Sequence, residues 1–242
     1  MDLKNKIAVV TGGSSGIGKA ISIALAKEGC KVIFTYNSSE KDANKTLEEI
    51  GENAINYKLD LQVEKEIEKF FDFVEGKFGR LDILVNNAGY GQVGEVFDRK
   101  LWEQSFEVNV LGTVTSTKFA VKIMGNGGRI LNISSIYGED KAAWQGKAAY
   151  SASKSAVNNL TRTFAKELAP NILVNAVAPG YVDTKVWEQF SRKIRDSSKD
   201  ELLIGRLIRP EEIAQMSVAI IKNDAMTGEV VVVDGGLSLK TV

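Results

Sequence analysis

The chain has no histidine, one cysteine and three prolines. The missing histidine excludes a Ser-His-Asp triad, an HExxH zinc site and any imidazole base. A single cysteine, Cys30, allows no intrachain disulfide and no cysteine-cluster metal site, so no metal is expected. Cys30 follows Gly29 and opens an apolar run, which marks it as a small buried residue rather than a nucleophile. Acid–base chemistry is left to Tyr, Lys, Asp, Glu or Cys30. Neither sign of charge is in excess: 31 Lys and Arg stand against 31 Asp and Glu. That balance argues against nucleic acid or an anionic membrane as the main partner. No apolar run approaches the roughly 18 residues that announce a membrane span. The polar start, Met1 to Lys6, is unlike a signal peptide, so the cytoplasm is the expected location.

The 242 residues, 44% of them hydrophobic, suffice for one sizeable core. Short β-branched runs alternate with helical patterns. The runs Ile7–Val10, Lys31–Thr35, Ala54–Lys58, Asp82–Val85, Arg129–Ile133, Ile172–Ala178 and Glu229–Val233 read as strands. Between them, Lys19–Glu28, residues 40–50, Glu64–Phe78, Arg99–Met124, Ala148–Leu168 and Pro210–Lys222 read as helices. Ile67, Phe70, Phe71, Val74 and Phe78 share one helix face, Gly29 suits a C-cap and Pro210 a first helical turn. This alternation predicts one α/β domain over 1–242, a doubly wound parallel seven-stranded sheet of Rossmann-like type with helices on both faces. One stretch, Lys185–Arg209, breaks the rhythm at a strand's C-terminal end. That is where a substrate-covering lid would sit.

Thr11-Gly12-Gly13-Ser14-Ser15-Gly16-Ile17-Gly18 lies between the first strand and the first helix. Glycines there let the backbone approach a pyrophosphate, and the helix N-terminus offers N–H groups to the anion. The spacing is G-x-x-x-G-x-G rather than G-x-G-x-x-G. Tyr150 and Lys154 are four apart on a predicted helix and share a face. A free phenol titrates near pH 10, and a neighbouring ammonium lowers that value by stabilising the phenolate. The pair could then pass a proton to a carbonyl oxygen or take one from an alcohol.

T-G-x-x-x-G-x-G resembles the cofactor turn of the short-chain dehydrogenases/reductases. Further landmarks follow in that family's order: Asp60, Asn86-Asn87-Ala88-Gly89, Asn109, Ser135, Tyr150-x-x-x-Lys154 and Pro179-Gly180. The resemblance covers nearly the whole chain. It implies nicotinamide-dependent hydride transfer between a cofactor and a small carbonyl or secondary alcohol, with Asn109, Ser135, Tyr150 and Lys154 as the catalytic set. In that set Ser135 would polarise the carbonyl and Lys154 would also bind the nicotinamide ribose. Ser134 is an adjacent alternative to Ser135, which is preferred because it stands three before Gly138. Asn109 resembles the family's helix-kinking asparagine.

The cofactor would lie along Gly12, Ser14, Ser15, Gly16, Ile17 and Gly18. Asn37 and Ser38 would take its adenosine ribose end, and Asp60 and Leu61 its adenine. Asn87, Ala88 and Gly89 would line its path, with Tyr150, Lys154, Pro179, Gly180, Val182 and Thr184 at the nicotinamide. No acidic residue stands at Tyr36-Asn37-Ser38, where a carboxylate would select NAD. NADP(H) is therefore favoured over NAD(H), with Asn37, Ser38 and Lys41 as phosphate contacts, although Ser15 replaces the arginine common in NADP-using members. The closest general likeness is to 3-oxoacyl-carrier-protein reductases and to sugar or polyol dehydrogenases. Few cations flank the expected mouth, Lys122 and Arg129 excepted, which argues against an acidic carrier. The stretch from Gly138 to Ala149, with Trp144, is longer than usual, so specificity does not transfer from relatives. A catalytically idle dinucleotide sensor or scaffold is the competing reading, but such a chain should have lost Ser, Tyr or Lys. The likeness also implies a homo-oligomer, a tetramer, with Val230–Val233 and Leu237–Val242 near one interface.

Overall fold

The central strands send alternate side chains to opposite faces of the sheet, and both sets are largely apolar and buried. A strand of that kind is stable only between two helical layers. In the computed structural model, which describes residues 1–139 and 145–239, this is what is found. Ile7 and Val9 of β1 (Ile7–Val10) enter one core, while Ala8 and Val10 enter the other. The same split recurs in β2 (Lys31–Tyr36), where Ile33 faces one way and Val32 and Phe34 the other.

The remaining strands are β3 (Ala54–Lys58), β4 (Leu81–Asn86), β5 (Met124–Ile133), β6 (Ile172–Pro179) and β7 (Val230–Val233). All pair in parallel, in the order β3-β2-β1-β4-β5-β6-β7. One face carries α1 (Gly16–Lys27) packed on α8 (Pro210–Lys222), with α2 (Glu40–Ile50) beside α1. The other carries α3 (Glu64–Phe78), α4 (Arg99–Phe106), α5 (Gly112–Ile123) and α6 (Ala148–Leu168). The chain reverses its winding between β1 and β4. The crevice at the C-terminal ends of those two strands is the place where such sheets bind ligands. Cys30 is fully buried and its thiol donates to the Leu3 carbonyl at 3.3 Å. Burial pushes that thiol up to about 12, which fits an inert packing residue.

Two expected elements differ. The single helix read over Arg99–Met124 is interrupted by a wide π-turn at Glu107–Leu111, where the Gly112 amide bonds the Glu107 carbonyl five residues back. Met124 is not its end but the first residue of β5, paired with Leu81. The glycines at 125, 127 and 128 carry no apolar alternation, so the periodic signal starts only at Arg129. The irregular stretch after β6 forms a short 3-10 turn (Lys185–Gln189) and α7 (Arg192–Asp200). No helix among the described residues is long and apolar enough to cross a membrane.

Candidate active site

The turn after β1 is held from two sides. Thr11 Oγ1 accepts from the Asn87 and Ala88 amides at 3.0 and 3.1 Å. Asn87 Nδ2 returns bonds to the Thr11 and Gly12 carbonyls at 2.9 and 3.0 Å. Gly12 has φ +64°, and a Cβ there would lie 2.9 Å from Ala88 Cα, so two turns meet with no room for a side chain. Ser15 begins α1 without a side-chain cap. The first-turn amides and the positive end of the helix dipole therefore face the groove.

That groove is lined by Gly12, Ser14, Ser15, Gly16, Ile17 and Gly18, by Asn37 and Ser38, by Asp60 and Leu61, and by Asn87, Ala88 and Gly89. It shares Ile17, Asn87, Gly89, Tyr90, Thr184 and Val186 with a second cavity of about 250 Å³. Ser134, Ser135, Tyr150, Lys154, Pro179, Gly180 and Val182 line that cavity. One continuous channel thus collects every residue named from the sequence for cofactor or chemistry except Asn109 and Lys41. Lys41 is exposed and off the groove. Backbone glycines, an uncapped helix end and polar side chains in this order fit a dinucleotide.

Asn109 sits just behind the channel. Its Oδ1 accepts from the Tyr90 amide at 2.7 Å and its Nδ2 donates to the Tyr90 carbonyl at 2.9 Å. Nδ2 also reaches Ser153 Oγ at 2.8 Å, and that hydroxyl donates to the Tyr150 carbonyl at 2.7 Å. The π-turn thereby ties the loop after β4 to the first turns of α6. The two serines separate: Ser134 Oγ donates to the Lys154 carbonyl at 3.3 Å, whereas Ser135 shares the cavity with the Tyr150 phenol and favours its ionised form.

Lys154 Nζ is buried, donates to the Ile133 carbonyl at 2.7 Å and lies 5.8 Å from the Tyr150 ring centroid. Burial brings its ammonium down to about 8. Burial also raises the Tyr150 phenol above its ordinary value, with Ser135 pulling the other way. This corrects the expectation of a lowered phenol: without a ligand, desolvation outweighs a cation that is engaged with a carbonyl one strand away.

A family model described as enoyl-(acyl carrier protein) reductase matches residues 12–238. The chain is 36% identical to the 3-oxoacyl-(acyl-carrier-protein) reductase of Thermotoga maritima, over 98% of this chain and 99% of that one. It is 35% identical to the cis-4-hydroxycyclohexanecarboxylate dehydrogenase of Sinomonas cyclohexanicum, over 96% of each. A solved short-chain dehydrogenase/reductase of Serratia marcescens superposes with a TM-score of 0.92 at 34% identity, covering 98% of this chain and all of that one. The chain belongs to the short-chain dehydrogenase/reductase family. It is an NAD(P)-dependent oxidoreductase acting on CH–OH groups and their carbonyl counterparts.

Several side chains of this dehydrogenase's channel escaped the sequence reading. Tyr90, Tyr137, Lys147, Tyr181, Trp187 and Phe190 all line the cavity. Trp187 and Phe190 belong to the irregular stretch picked out as a lid, but nothing in their spacing said which way they face. Lys147 is buried, with Nζ 5.4 Å from the Tyr150 ring centroid and 3.4 Å from the Gly91 carbonyl. Asp42 lines the groove beside Ser38 and pairs with Lys185 at 2.7 Å, which holds its carboxyl below the usual range. A count that stopped at Ser38 missed this carboxylate. Arg129 is no docking cation: it is buried and bonded to the Gly127 and Gly128 carbonyls and to Asp224. Trp144 lies outside the described residues.

Proposed function

We propose that the protein is an NADP(H)-dependent reductase of small-molecule ketones, with Tyr150 as the proton donor. The observation that carries this is the Ser135–Tyr150–Lys154 cluster at the inner end of the dinucleotide-shaped channel. A bound nicotinamide supplies the hydride in reduction and accepts it in oxidation. Ser135 directs its hydroxyl at the carbonyl oxygen, and Tyr150 gives that oxygen its proton. A phenol raised by burial holds its proton at neutral pH, which suits donation. Lys154, still mostly protonated at pH 7, stabilises the phenolate left behind and takes the ribose hydroxyls. Asn109 acts through position, fixing the Tyr90 peptide and the start of α6.

The NADP(H) preference rests on charge. Asn37 and Ser38 are neutral, and Lys185 offsets Asp42. Asn37 also borders a hollow where Lys58 and Lys69 are balanced by Asp60 and Glu66, so it adds no net charge against a phosphate. The segment 185–209 acts as the substrate lid, Trp187 and Phe190 being its inner face. The working form is a cytoplasmic homotetramer. Leu111 on the α4–α5 helix, Val232 on β7 and Leu239 are exposed apolar residues that such contacts would cover.

Tyr150→Phe tests the reading. It keeps the ring and removes the proton, so NADPH-dependent ketone reduction should fall at least about a hundredfold. Cofactor binding, followed by NADPH fluorescence, should stay within about twofold. Undiminished turnover would remove the mechanism.

A further inference from the structure

The groove that fits a dinucleotide has little positive charge of its own. Among the described residues that line it, the charged ones are Asp42, Asp60 and Lys185. Lys185 is the one cation there, and it comes from the lid: it opens the 3-10 turn with which the 185–209 segment begins. The residue before it, Thr184, sits over the Gly-rich turn, its methyl carbon 3.2 Å from where a Cβ at Gly16 would stand. From that root the Lys185 side chain reaches α2. Its Nζ donates to Asp42 Oδ1 at 2.7 Å, in the first turn of that helix. Asp42 Oδ2 accepts from Ser39 Oγ at 2.9 Å. The ammonium is therefore held at the α2 wall, where Asn37, Ser38 and Ser39 line the groove, and not at the α1 amides.

That wall is where a dinucleotide fold receives the adenosine ribose. The ion pair that parks Lys185 there is replaceable. The two side chains are 60% and 22% exposed, and ion pairs in contact with water are weak. Asp42 keeps its bond from Ser39 if the lysine leaves. A phosphate monoester at neutral pH carries close to two negative charges and three acceptor oxygens. It outbids a single carboxylate for an ammonium, and it is repelled by Asp42 unless a cation stands between them.

We propose that Lys185 reads the 2′-phosphate of the cofactor, exchanging Asp42 for it when NADP(H) binds. The inference rests on the NADP(H) reading above and names the residue that carries it. With NAD(H), which has a hydroxyl at that position, Lys185 stays with Asp42. Recognition of the adenosine end is thereby built into the root of the substrate lid.

The test is a fluorescence titration with NADPH and, separately, NADH of the wild-type protein, Lys185→Met, Lys185→Arg and Asp42→Asn. Lys185→Met should weaken NADPH by about tenfold or more and leave NADH within about twofold. Lys185→Arg should keep the preference, since the cation remains. Asp42→Asn removes the competing carboxylate, so NADPH should tighten by about threefold or more with no matching gain for NADH. The same substitution made in Lys185→Met should gain less, because the exchange is already lost. A merely structural clasp would move both cofactors alike, and so would a lysine that serves the pyrophosphate. Either result, or an unchanged NADPH affinity in Lys185→Met, overturns the inference while leaving the reductase reading intact. A wild-type preference for NADH, with NADPH alone weakened in Lys185→Met, upholds the inference and removes the NADP(H) preference. Binding of neither cofactor to the wild-type protein overturns both.

Discussion

Lys154 shows what this site costs the fold. Its pKa falls from 10.5 to about 8 on burial, a difference worth on the order of 3 kcal/mol. The sign follows from proton counting: between about pH 8 and the unfolded value near 10.4, the unfolded chain binds more protons, so this group's contribution to stability rises with pH in that window. Below it the penalty is fully present. Lys154→Met should therefore raise the thermal midpoint of the ligand-free protein at pH 7, by about 2 °C or more, while reductive turnover drops at least about a hundredfold. Calorimetry and a ketone assay on one preparation check both halves. The same group sets a pH limb: reduction should decline as pH rises through about 8, where Lys154 loses its charge. A rate that holds flat to pH 10 would contradict that assignment. These residues stood out in the sequence because Tyr150 and Lys154 share a helix face and because the family resemblance placed Ser135, three before Gly138, beside them. The raised phenol did not, because burial and the Ile133 carbonyl that engages Lys154 are tertiary facts.

Elements whose identity rests on local chemistry were read almost to the residue. α3 and α6 were expected over the spans they occupy, and so was α8, which Pro210 opens. The π-turn at Glu107–Leu111 was foreshadowed only by the likeness of Asn109 to a helix-kinking asparagine and not by periodicity: Asn109 turns to meet both polar atoms of the distant Tyr90 peptide. Asn109→Leu should lower kcat more than cofactor affinity, because it loosens the Tyr90 loop and α6 without touching the Gly-rich turn. Steady-state kinetics beside a fluorescence titration separates the two. Two glycines give a paired prediction. A Cβ at Gly180 would lie 2.8 Å from both Cα and the carbonyl oxygen of Asp234, so Gly180→Ala should part the ends of β6 and β7 and weaken both stability and activity. Gly76, inside α3, has nothing within 4 Å. Gly76→Ala should stabilise by about 1 kcal/mol through helix propensity alone, with activity unchanged, as thermal melts would record.

At the scale of the molecule, the strand order and the winding reversal decide where everything else can act. Seven parallel strands, doubly wound between two helical layers, were implied by alternating apolar runs; the strand order, with its switch between β1 and β4, was not. The site follows because the turns after β1, β4, β5 and β6 meet at one edge of the sheet. The aromatic wall of the cavity was least legible, since Tyr137, Tyr181, Trp187 and Phe190 come together only through the path of 185–209, which no periodicity dictates. The proposed tetramer predicts about four times the 26.4 kDa chain mass by light scattering; a monomer would contradict that part of the proposal. The most direct test of the whole account is a fluorescence titration of the purified protein with NADPH and, separately, NADH. The account predicts saturable binding of NADPH, tighter than NADH by about tenfold, or roughly 1.4 kcal/mol. Tighter NADH would reverse the charge argument around Asp42 and Lys185. Binding of neither would contradict the reading of the channel itself.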